Sequence, residues 1–186
     1  MSYLRSFAPW IIFALVSLVD WRFGALSGVL SSAVVLGRAH RRGEALDGQI
    51  LELSSTVFFV LLTVVAFADP HSALKGWAAA ASLLWLAATA WLSLAVARPF
   101  TLGIARQTVP QSLWGNPVFR QVNMVITAVW AATFTVIGIG TALCQTLDAP
   151  GVVSVGIHFG YIVPIVFTRR YPDVVRARYA AARQGA

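Results

Sequence analysis

The stretch FAPWIIFALVSLVDWRFGALSGVLSSAVVLG, residues 7–37, decides the fold, because it is almost wholly apolar and is interrupted near its middle by Asp20-Trp21-Arg22. As a single helix it would be about 46 Å long, well beyond the ~30 Å hydrocarbon core of a bilayer. Two shorter helices, residues 7–19 and 23–37, joined by a turn at that triplet, fit better. Each falls short of the core by roughly 5–10 Å, a mismatch for local thinning, partner helices or snorkelling charges to absorb. The alternative is one broken span that holds Asp20 and Arg22 inside the membrane as an ion pair, a costly arrangement usually reserved for function.

Further along, residues 50–68, 77–97, 122–144 and 151–168 are apolar runs near the 20 residues that a helix needs to cross a bilayer. The pattern predicts an all-α, polytopic transmembrane helical bundle of six spans, or five in the alternative, forming a single integral membrane domain over residues 1–186. Composition points the same way. Of 186 residues 58% are hydrophobic and 11% charged, too few ionisable side chains to cover a soluble globule. Ser31-Ser32-Ala33 has the small residues of a leader cleavage site, but the apolar run before it is too long and carries Asp20 and Arg22. No cleaved leader is expected.

The net charge is +7, and Lys75 is the one lysine among the 14 basic residues. With six spans and the N-terminus inside, Arg22 and Lys75 face outward and the other twelve face the cytoplasm, a strong positive-inside asymmetry. Both termini are therefore expected in the cytoplasm; the five-span alternative moves mainly Arg5. The basic clusters sit between apolar segments without interleaved aromatics, so no nucleic-acid partner is expected. Trp21 and Trp77 fall at outer boundaries and Trp114 at an inner one, as belt residues do. The connection over residues 98–121 mixes Phe100, Leu102, Ile104, Trp114 and Phe119 with arginines, too apolar for a free loop, and is expected to lie on the inner interface. Pro99, Pro110 and Pro117 limit it to short helical pieces.

Chemistry-bearing constellations are sparse. Cys144 is the sole cysteine, which removes an intrachain disulfide and any Cys/His metal pattern. His40, His71 and His158 fall at different depths, so no Ser/His/Asp grouping arises. No phosphate-binding glycine loop is visible. Neither an enzyme nor a cofactor is expected.

Five polar residues remain as intramembrane candidates: His158, Glu52, Asn123, Asp20 and Arg22. His158 lies near the centre of the last run, ahead of Tyr161 and Pro164, and the proline frees a carbonyl one turn back. It fits a neutral, hydrogen-bonded histidine tying two helices together; the sharper alternative is a proton relay or solute site. Glu52 opens the third span and is expected to pair with Arg38, Arg41 or Arg42 or to snorkel to water, with a vestibule lining as the alternative. Asn123 opens the fifth span, where its amide is expected to fix the preceding loop. Gly24 with Gly28, and Gly156 with Gly160, form two GxxxG patterns, read as helix packing within one protomer, with dimerisation as the alternative.

The order of several features resembles the intracellular septation protein A family, small bacterial inner-membrane proteins of five or six spans. Ala8-Pro9-Trp10-Ile11-Ile12-Phe13 is similar to that family's opening Leu-Pro with apolar and aromatic followers, and Asp20 falls where its first helix ends. The turn from Asp69 to Trp77, the exit Arg98-Pro99-Phe100, and Val109-Pro110 followed by Trp114 and Asn123 resemble its further landmarks. Two departures stand out. Ile126 occupies the position of an aromatic, and the Phe-Lys pair before the last helix is absent around residues 151–156. The resemblance implies a role in envelope biogenesis or septation at the bacterial inner membrane. It implies lipid, envelope or division membrane proteins, or a second copy of the chain as partners, and no catalytic residues. A small-solute or ion transporter using His158 is the alternative from another class.

Overall fold

A capped turn starts the bundle. In the computed structural model, which describes residues 2–43 and 49–184, α1 (Ser2–Ser17) gives way to α2 (Trp21–Arg41) across residues 18–20. Asp20 is extended, and its carboxylate accepts from the Arg22 backbone N–H at 2.8 Å, the N-cap bond that begins α2. The Arg22 guanidinium closes on the same carboxylate, with Nη2 2.8 Å from Oδ2. The two helices pack back along each other, so the continuous broken helix is not formed. Contrary to expectation, α2 is not short: its 21 residues reach about 31 Å, whereas the 16 residues of α1 reach about 24 Å. α1 falls short of a hydrocarbon core, and α2, although long enough, is not among the helices apolar enough to cross one.

The rest of the chain continues as α3 (Ile50–Ala68), α4 (Leu74–Ala95), α5 (Phe100–Arg106), α6 (Pro117–Thr146), α7 (Gly151–His158) and α8 (Ile162–Gln184). No strand occurs among the described residues. Four helices are long and apolar enough to cross a membrane: α3, α4, α6 and the run Gly151–Tyr179. Boundaries differ from the apolar runs where caps decide them. α6 begins five residues before Val122, because Pro117 occupies its first turn and Asn116 Oδ1 accepts from the Val118 N–H at 2.8 Å. The last run continues beyond residue 168 to Gln184, passing through Pro172.

Two helix exits use the same device. Ala97 and Asp148 take left-handed backbone, φ 54° and 48°. In each case the next residue's N–H reaches back five positions, Arg98 to the Ser93 carbonyl at 2.8 Å and Ala149 to the Cys144 carbonyl at 2.9 Å. Pro99 and Pro150 follow and direct the chain into α5 and α7.

The turns at residues 18–20, 69–73 and 147–150 share one end of the bundle. The Trp21 indole N–H donates to the Pro70 carbonyl at 3.2 Å, and Gly76 lies beside the Gln145 amide. The arginines other than Arg22 gather toward the opposite end. α4 packs extensively on α6, while α1 packs chiefly on α2 and extends aromatic side chains to α3 and α6. Its Trp10 ring meets Phe58 and Phe59, with centroids 5.1 and 4.7 Å away, and its Phe7 stacks on Trp130 at 5.3 Å. α7 and α8 pack chiefly on α6 and leave most of their surface open.

Candidate functional site

Within the apolar bundle, polar groups form ties between helices before they form any site. Ser6 on α1 donates to Glu52 Oε1 at 2.7 Å, and Glu52 is only 6% exposed. One turn along, the Trp10 indole donates to Ser55 Oγ at 2.9 Å. On the other flank of α3, Trp85 donates to Ser54 Oγ at 2.8 Å, and Ser54 and Thr89 share a hydroxyl bond of 2.6 Å. Glu52 therefore does not snorkel to water. The hydrogen bond to its Oε1 comes from Ser6 on α1. A buried carboxylate needs such donors, since an unsatisfied one is costly in low dielectric.

Asn123 performs its expected task by a different group. Its side-chain Nδ2 donates to the Phe119 carbonyl of its own helix at 2.8 Å, and it is its backbone carbonyl that receives the Thr101 hydroxyl at 3.0 Å. Thr101 also meets the Thr127 hydroxyl at 2.7 Å, and both threonines are fully buried. At the start of α5 the Phe100 N–H donates to Ser93 Oγ at 3.2 Å. These bonds pin α5 against α4 and α6. The segment over residues 98–121 is thus a docked structure, with α5, a 3-10 turn at Gln111–Leu113 and the Trp114 indole donating to the Val109 carbonyl at 3.0 Å.

Around that segment lies a groove of about 820 Å³ between the exit of α4, α5 and the beginning of α6. Arg98, Arg106 and Arg120 line it, and among the described residues no carboxylate does. The Arg106 guanidinium sits 5.2 Å over the Trp114 ring, and Arg120 Nη2 donates to the Ala97 carbonyl at 3.0 Å. The remaining wall is largely apolar, with Leu102, Met124 and Val125. A smaller hollow of about 320 Å³ runs between α6 and α8, past Gln121, Tyr171 and Arg178.

The other candidates stand apart. His158 closes α7, the helix tightens into a 3-10 turn over Phe159–Tyr161 ahead of Pro164, and the imidazole lies 6.1 Å from the Tyr161 ring. It packs on the α6 side, whereas Glu52 faces α1, and neither groove is lined by either residue. Asp20 and Arg22 sit at the far end, where the hydrogen bonds from Arg22 lower the Asp20 carboxyl from 3.8 to about 2. The structure does not bring these residues into one site. Among the described residues no group of three metal-ligating side chains comes together.

The glycines divide in the same way. A Cβ on Gly24 would collide with Ser17, one on Gly28 with the Phe59 ring, and one on Gly160 would press on Ile137. Those three serve packing within the protomer. Gly156 faces open space, and so its pattern is only half used.

Sequence reading missed Ser6, Ser93, Thr101 and Thr127, because a hydroxyl in an apolar helix usually bonds its own preceding turn and carries no mark of its partner. No family model, curated protein or solved structure matches this chain. The fold defines the class: an all-helical chain with four helices able to cross a membrane and a docked arginine-bearing segment at one end.

Proposed function

We propose that this chain is a non-enzymatic multi-pass protein of the bacterial inner membrane that supports cell-envelope synthesis or septation. It acts through contacts with lipid and with other membrane proteins or a second copy of itself. The observation that carries this reading is the docked segment over residues 98–121, held by Thr101 and Ser93 and presenting Arg98, Arg106 and Arg120 around a groove. The positive-inside asymmetry supports a cytoplasmic setting for that end, and the α1–α2 hairpin is consistent with six crossings and both termini inside. The resemblance to the septation protein A family supports the setting. Deleting the gene is expected to disturb cell shape, septum placement or envelope integrity under osmotic stress. Wild-type behaviour in all three would overturn the proposal.

The break in the last helix at His158–Tyr161 favours a second reading, passage of a small solute or ion. Flux into liposomes that falls on His158→Ala would support it. Flux indistinguishable from empty liposomes would remove it.

A further inference from the structure

The groove between α4, α5 and α6 has the chemistry of a site for one kind of molecule. Three arginines, Arg98, Arg106 and Arg120, line it, and among the described residues no carboxylate does. Arg98 and Arg120 are exposed. Arg106 is aimed by the Trp114 ring beneath it, and that ring is fixed in turn by its bond to the Val109 carbonyl. Arginine suits phosphate because its planar fork donates two parallel hydrogen bonds to adjacent oxygens. The amino end of the 30-residue α6 opens on the same space through Asn116 and Pro117, adding the positive end of its dipole.

A purely polar cleft would suit a soluble anion. Here Met124 and Val125 continue the wall along α6 into the stretch long and apolar enough to cross a membrane. A ligand that satisfies both halves carries a phosphate at one end and hydrocarbon at the other. We infer that this groove binds the headgroup of an anionic phospholipid, with its phosphate between Arg98 and Arg120 and its acyl chain along Met124 and Val125. Basic pockets at the end of a helix bundle hold acidic lipid headgroups in this manner. The inference rests on the groove alone and does not depend on the envelope role.

The test uses the full chain purified in mild detergent and incubated with phosphatidylglycerol, phosphatidylcholine or inorganic phosphate. Native mass spectrometry counts bound lipid, and thermal unfolding reads stabilisation. Phosphatidylglycerol is expected to bind and stabilise, with affinity about fivefold weaker on Arg98→Gln and again on adding Arg120→Gln. Arg170→Gln, an exposed α8 arginine of equal charge, should leave binding unchanged. Since Arg120 also bonds the Ala97 carbonyl, Arg98→Gln alone keeps the test valid if the double variant fails to fold. Equal binding of phosphatidylcholine, stabilisation by inorganic phosphate alone, or equal losses on Arg170→Gln would each overturn the inference. Normal cell shape on deletion, with lipid binding intact, would sink only the envelope proposal.

Discussion

Asp20 shows how far a single residue can be read in advance. Its place between two apolar runs marked the turn; its role as the cap of α2 emerged only in the structure, where its short carboxylate reaches the N–H two residues on. The Arg22 contacts lower its carboxyl to about 2, so its stabilising contribution is complete above the ordinary value near 3.8 and disappears as pH falls through about 2. The unfolding temperature is therefore expected to fall across that window, and Asp20→Asn should remove this part of the pH dependence. A variant that retains the same acid profile would show that the cap is not the titrating group. Gly28 was legible only as half of a pattern; what it faces, the Phe59 ring, depends on a helix pairing that its own sequence does not encode. Gly28→Leu forces a side chain into that ring and should cost about 1–3 kcal/mol or more, read as a lower unfolding temperature. Unchanged stability would contradict this packing. The hydroxyl donor to Glu52 was illegible for the same reason. That donor, Ser6, lies 46 residues away on α1.

At the scale of elements, length and hydropathy identified α3, α4 and α6, but capping set the start of α6. Asn116-Pro117 starts α6, and the apolar stretch beginning at Val122 concealed it, because the opening of α6 carries Arg120 and Gln121 and so reads as loop. The prolines correctly announced short pieces between α4 and α6. They did not announce that α5 would be buried by Phe100, Thr101, Gly103 and Ile104 against its neighbours. That docking is the element on which the proposed function rests, and it has a direct test. Thr101→Val keeps the shape of the side chain but removes its bonds to the Asn123 carbonyl and Thr127, an expected loss of about 1 kcal/mol. Hydrogen exchange should quicken over residues 100–113 while α3 stays protected. Equal protection in both proteins would mean that α5 is held by apolar packing alone.

The whole molecule follows from two tendencies. Apolar runs near 20 residues make membrane helices, and arginines collect at one end of them. Both are properties of sequence, which is why the all-α class was legible. The order of packing was not, since every helix offers similar apolar surface. Shape decides it: the aromatic side chains of α1 wedge between α3 and α6, and α7 with α8 remains at the margin. The central claim is a bundle with its arginine-rich end in the cytoplasm and the α1–α2 hairpin crossing the membrane twice. Labelling with a membrane-impermeant thiol reagent on intact cells tests it most directly, using native Cys144 beside the outer turn and Arg5→Cys in a Cys144→Ala background. Cys144 is expected to react from outside, and the cysteine at position 5 only after the cells are permeabilised. Labelling at position 5 in intact cells would contradict the hairpin crossing, and labelling of Cys144 only after permeabilisation would invert the protein.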